Sequence, residues 1–164
     1  MKRFDKQVSM GGFAYLWLLI VIAMLGASSA ITLEVTATMA QRQKEAQLLA
    51  IGQEFQNAIA SYYSAHLNPG AELDQYPQSL DDLLLDHRFA TTKRHLRKIY
   101  VDPITNSNEW GLVKVNGRIA GVYSLSEKKP IKISNFDTYH FQPQSLNKYS
   151  DWIFTFPPNL LNPH

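Results

Sequence analysis

The first ten positions, "MKRFDKQVSM", mix charged and apolar residues, and then no charged side chain appears from Gln7 to Leu33. Phe13 to Leu33 is 21 residues, of which ten are Leu, Ile, Val or Phe. As a helix that stretch measures roughly 31 Å at about 1.5 Å per residue. After Glu34 the uniform hydrophobicity gives way to an amphipathic pattern. Leu48, Ile51, Phe55, Ala58, Ile59 and Tyr62 recur at spacings of three and four, behind a polar turn of Gln41, Arg42, Gln43, Lys44 and Glu45. Such spacing places the apolar set on one helical face. No Pro, Gly or turn cluster interrupts the pattern between Glu34 and Gly52. One helix is predicted from Phe13 to about Ala65, apolar on every face over 13–33 and amphipathic over 34–66.

Beyond residue 66 the periodicity shortens. "LNPGAELDQYPQ" has the Pro, Gly and Asn of a loop, and Ser79 followed three residues later by Asp82 predicts a capped short helix through about His87. "LRKIYV" predicts a strand, ended by Asp102-Pro103 and the turn-rich "TNSN". "EWGLVKVNGRIAGVYSL" alternates on both sides of Asn116-Gly117, a dipeptide suited to a two-residue hairpin turn with positive φ. Its apolar set, Trp110, Leu112, Val113, Val115, Ile119, Val122, Tyr123 and Leu125, is expected to face the helix. "DWIFTF", 151–156, predicts a last strand stopped by Pro157-Pro158, with Tyr149 and Trp152 packing the tail onto the rest. The fold class is α+β: a long N-terminal helix packed on a small antiparallel sheet.

Charge changes the reading of the N-terminus. The formal net charge is +2, and Lys2, Arg3 and Lys6 against Asp5 account for it, leaving 13 basic and 13 acidic residues in the remainder. A neutral body speaks against nucleic-acid binding, which uses a basic face. The length of 13–33 suits a bilayer, the basic leader would hold the N-terminus in the cytoplasm, and Tyr15 and Trp17 would lie near that interface. Two other readings compete. "GASSA" offers Ser28 and Ala30 for secretory cleavage after Ala30, and a buried core helix would have to be apolar all round. An export signal does not ordinarily continue unbroken into about 30 further residues of helix.

A short charged leader ending in Gly12, then Phe13 and an apolar helix that turns amphipathic, resembles the prepilin class, type IV pilins and the pseudopilins of type II secretion. "RQKEAQLLAIGQEFQNAIASYY", "YPQSLDDLL", "LRKIYVDPITNSNEWGLV" and "GRIAGVYSLS" are similar to successive elements of the major-pseudopilin type, with Tyr76-Pro77, Asp102-Pro103 and Glu109-Trp110-Gly111 as the most specific points. The resemblance implies a pilin-like fold. It implies a leader at 1–12, removed by a prepilin peptidase between Gly12 and Phe13, and methylation of the Phe13 amine. It further implies a membrane and filament-core helix at 13–33, an amphipathic helix at 34–66 and a globular head at 67–164. The expected partners are other pseudopilins and an inner-membrane assembly platform, in a homo- or hetero-filament that drives protein export. The expected location is the bacterial inner membrane, single-pass, with a cytoplasmic N-terminus and periplasmic head. Tyr15, Trp17 and Gly26 fall in the membrane and filament core, and Gly26, Ala27, Ser28, Ser29 and Ala30 would allow close helix approach. The family has glutamate as the fifth mature residue, to neutralise a neighbour's amine, and threonine as the second; here Trp17 and Ala14 stand in those places.

Chemistry beyond assembly is sparse. Cysteine is absent, which excludes disulfides and thiolate sites. His66, His87, His95, His140 and His164 are scattered without metal-ligand spacing, and neither G-x-S-x-G nor a phosphate-binding glycine loop occurs. Asp81, Asp82 and Asp86 suit a helix start electrostatically. No enzymatic activity and no cofactor are expected. Major pseudopilins commonly hold calcium near the C-terminus, but after Ser126 only Glu127, Asp137 and Asp151 remain, well apart, so that trait does not transfer. "KRHLRK" concentrates Lys93, Arg94, Arg97 and Lys98 and is the candidate contact for an anionic partner. The expected function is a structural pseudopilin subunit. The alternatives are a pilin-like component of a pilus or DNA-uptake machine, and a secreted binding domain released after Ala30.

Overall fold

A computed structural model describes residues 11–65, 75–134, 136, 145, 147–158 and 160–161, with the side chains of 11 and 26–34 outside the description. The chain divides into two units, Met1–Ala40 and Gln41–His164. Helix α1, Gly11–Ser64, is followed by a single-turn helix α2, Asp81–Leu84, and by strands β1, Gly111–Val115, and β2, Arg118–Tyr123. A 3-10 turn at Tyr149–Asp151 leads into β3, Ile153–Thr155.

In the unit Gln41–His164 a helix packs on a three-stranded antiparallel sheet of order β1-β2-β3. The six stripe residues of α1, Leu48, Ile51, Phe55, Ala58, Ile59 and Tyr62, are all buried. They meet Trp110, Ile119, Val122, Trp152 and Phe154 in one core. Phe55 packs its ring edge-on against Trp110 at 5.1 Å between centroids. Asn116 and Gly117 take φ of 52° and 80° between the paired Val115 and Arg118, the left-handed pair that a tight hairpin turn requires. A register shift between Val113 and Lys114 interrupts the β1–β2 ladder. Of the eight apolar hairpin residues only Trp110, Ile119 and Val122 reach the core, and Leu112 and Leu125 are exposed.

Three predicted elements differ. Residues 96–101 form no strand: the N–H groups of His95 and Leu96 both donate to the carbonyl of Leu83, and Tyr100's carbonyl accepts the indole N–H of Trp110. These bonds take backbone groups that a ladder would use. Helix α2 stops at Leu84 instead of His87, because the chain turns to seat Asp86, whose N–H donates to Lys93 O at 2.9 Å. Its start keeps the reciprocal Ser79–Asp82 bonds, Ser79 N to Asp82 Oδ2 at 3.0 Å and Asp82 N to Ser79 Oγ at 3.4 Å. The last strand holds only three residues, since Tyr149–Asp151 coils into the 3-10 turn.

Residues 12–20 and 22–25 are exposed around the helix. Among the described residues no helix is long and apolar enough to cross a membrane. This corrects the expectation of a single-pass inner-membrane protein with cytoplasmic N-terminus and periplasmic head. The described apolar side chains run from Phe13 to Leu25, about 20 Å of helix, against about 30 Å of bilayer hydrocarbon. From Val35 onward Thr36, Thr38 and the charged turn Arg42–Glu45 intervene.

At Gly52 α1 lies close against Phe154 of β3. A Cβ built there would lie 2.4 Å from the Phe154 ring, which is 2 % exposed and has little room to retreat. Gly52→Ala gains roughly 1 kcal/mol of helix propensity, yet overpacking of a filled core costs about 1–3 kcal/mol. A net loss of stability is expected by urea denaturation, whereas Gly12→Ala, with nothing within 4 Å, should lose none; a Gly52→Ala protein as stable as the parent would show that Phe154 moves freely.

Candidate functional site

Two surfaces carry the residues singled out from the sequence. The first is the beginning of α1. Gly12 is exposed, Phe13, Tyr15 and Trp17 are 73 %, 64 % and 61 % exposed, and Leu16, Leu18, Leu19, Ile20, Ile22, Met24 and Leu25 are exposed as well. Consecutive helical residues are about 100° apart, so this run is open on all faces and not along one stripe. Gly26 lies in α1 but outside the residues whose surroundings are described.

The second surface is the loop after α2. Arg94, Arg97 and Lys98 are exposed and Lys93 is half-buried. Between them His95 turns inward, its side chain 1 % exposed. Asp86, completely enclosed, is the centre that holds this loop. Arg88 donates to it three times, from its backbone N and Nε to Oδ1 at 3.0 and 2.9 Å and from Nη2 to Oδ2 at 2.7 Å. The same guanidinium lies 3.6 Å over the Tyr62 ring and donates to the Tyr62 carbonyl. His95 Nε2 lies 3.0 Å from Asp86 Oδ2 and Nδ1 lies 2.8 Å from Ser61 Oγ. Burial alone would push the Asp86 carboxyl up; the bonds from Arg88 and His95 outweigh it and hold the group at about 2. An ionised carboxylate only accepts, so Nε2 of His95 donates to it.

The order Ser61, His95, Asp86 has the connectivity of an activated nucleophile. The backbone around Ser61 does not supply free oxyanion donors. Ser61 sits inside α1, where backbone N–H groups are committed to carbonyls four residues earlier, and acyl transfer needs free donors beside the nucleophile. The arrangement is a tie between the last turns of α1 and the basic loop. Sequence order hides it, because 61, 86 and 95 lie on three separate segments; the only local signal was a histidine flanked by cations.

A second buried carboxylate ties the other end. Glu45, 2 % exposed, accepts from the backbone N–H of Ile131 at 2.6 Å, that of Lys132 at 3.2 Å and the Tyr149 hydroxyl at 2.7 Å. Gln41 Nε2 donates to the same phenol oxygen at 2.9 Å. Burial pushes the Tyr149 phenol up to about 12; the Gln41 bond lowers it and the Glu45 acceptor raises it. Tyr149 and Trp152 are both fully buried and meet edge-on at 5.3 Å, so the tail is packed as its sequence predicts. Glu45 was missed because it falls in a charged turn that reads as solvated.

After Ser126 the described acids are engaged by side chains. Glu127 pairs with the Lys148 ammonium, which lowers the one pKa and raises the other, and Asp151 accepts from Ser145 Oγ at 2.8 Å and Lys148 N at 3.0 Å. Among the described residues no three His, Asp or Glu side chains group as metal ligands; Asp137, His66, His140 and His164 lie outside the description. Asp102 of the Asp-Pro pair is buried and accepts from Ile104 N, Thr105 Oγ1 and Ser124 Oγ, and Tyr76 of the Tyr-Pro pair donates its hydroxyl to Phe156 O at 3.0 Å. No protein-family model matches the sequence, and no curated protein or solved structure was found to be similar to it.

A folded-state carboxyl at about 2 against 3.8 for a free one stabilises the native state fully above about pH 4 and loses that contribution as pH falls through about 2, roughly 2 kcal/mol in all. Urea midpoints measured down through that window should fall, and the Asp86→Asn protein should start lower and respond less. A wild-type midpoint flat across the window would count against an ionised Asp86.

Proposed function

We propose that this chain is a structural subunit of the pilin-like, pseudopilin kind, assembling with like subunits into a filament that serves protein export. What supports the reading is the character of residues 13–25. Ten large apolar side chains there are each 47 % exposed or more. Burying such a side chain is worth roughly 1.5–3 kcal/mol, so water is a poor long-term environment for the run. A helix apolar on one stripe is satisfied by its own fold, as residues 48–62 are. A helix apolar all round needs several neighbours, and like helices supply them without closing the assembly.

In this reading the leader ends at Gly12 and Phe13 becomes the first residue, methylated at its amine. Trp17 cannot neutralise a neighbouring amine as the family's glutamate does. The amine then has to remain at the water-accessible end of the bundle, because an uncompensated charge in an apolar core is costly.

With no native cysteine, Leu16→Cys and Ile20→Cys report helix proximity cleanly. Oxidative cross-linking of the mature protein should give dimers from either and higher multimers when both are present, and Ile20→Asp introduced beside Leu16→Cys should abolish them. Monomers at every concentration, or a mature N-terminus at Ile31 instead of methylated Phe13, would overturn the reading.

A further inference from the structure

The basic loop is built on a fixed floor. Lys93 O accepts from Asp86 N at 2.9 Å, the N–H groups of His95 and Leu96 reach Leu83 O at 2.9 and 2.8 Å, and Leu96 is 3 % exposed. With His95 and Leu96 directed inward, one cationic pair is left on each side, 93–94 and 97–98. Among the described residues none of these four cations has an ion-pair partner. Asp86, the nearest acid before the loop, is taken by Arg88 and His95.

We propose that the loop of residues 93–98 docks an acidic segment of a protein partner, whose carboxylates meet the Arg94 and Arg97 guanidiniums. The planar fork of arginine matches a carboxylate in two parallel hydrogen bonds. Four like charges within six residues repel one another, and an anion relieves that repulsion. A loop already fixed from beneath loses little freedom on binding.

Two observations favour carboxylates over a nucleic acid. The Lys93 ammonium lies over the Phe89 ring at 4.3 Å and that of Lys98 over the Tyr100 ring at 5.4 Å, so a base stacking on either of those faces would have to displace a lysine. Beyond residue 12 the basic and acidic residues balance at 13 each, so there is no overall excess of positive charge to draw a phosphate backbone. This inference does not depend on filament assembly, since one subunit carries the whole surface.

The test uses the full chain in a nonionic detergent, with a fluorescein-labelled decaglutamate peptide and a labelled DNA duplex of roughly 20 base pairs, read by fluorescence anisotropy at about 50 and about 300 mM salt. Decaglutamate should bind at low salt. Affinity should fall at least about tenfold in Arg94→Glu/Arg97→Glu and less in Arg94→Gln/Arg97→Gln, with unchanged thermal midpoints because both side chains are exposed. Reversal of the exposed pair Lys128 and Lys129 to glutamate should leave binding intact. The proposal is overturned by absence of peptide binding, by equal loss in the Lys128/Lys129 control, by no loss in the arginine variants, or by tighter binding of the duplex than of the peptide.

Discussion

Burial of one stripe of α1 is the constraint on which the rest of the unit Gln41–His164 depends. Leu48, Ile51, Phe55, Ala58, Ile59 and Tyr62 present a continuous apolar line, and the three-stranded sheet builds its core against it. The sheet is bound to that line by close fit at Gly52 and Phe154 and by aromatic edges at Phe55 and Trp110. At either end of the stripe a buried carboxylate takes over where apolar contact stops. Glu45 gathers the segment before the tail and Tyr149, and Asp86 gathers Arg88, His95 and, through His95, Ser61. Glu45 takes donors 86 to 104 residues further along the chain, whereas Asp86 takes its own from Arg88 and His95 and reaches α1 through those two side chains.

The two ties differ in kind. Asp86 is compensated by a guanidinium and an imidazole. Glu45 is satisfied by backbone N–H groups and a phenol, donors whose charge does not change near neutrality.

What could be read from the chain follows interaction range. The long helix, its buried stripe and the Asn116-Gly117 hairpin depend on spacings of one to four residues, and these stand in the structure. The strand expected at 96–101 failed because its alternation is produced by something else: His95 is drawn inward by Asp86 and Leu96 by the core, leaving cations on both sides. Alternation reports which residues face in and does not say whether the backbone is paired. The bilayer span expected at 13–33 is not met among the described residues, where the apolar run covers Phe13 to Leu25. Glu45 and the Ser61–His95–Asp86 tie were illegible because their partners lie up to 104 residues apart.

Trp17 sharpens what kind of association residues 13–25 can support. Where a carboxylate faces a neighbour's amine, a Coulomb term fixes the register between helices; an indole leaves register to packing alone. Apolar packing is strong but tolerant of sliding, since many offsets bury similar area. In the filament proposed above, register between subunits then has to come from polar surfaces outside the apolar run. In that proposed assembly the apolar run contributes association energy but no address.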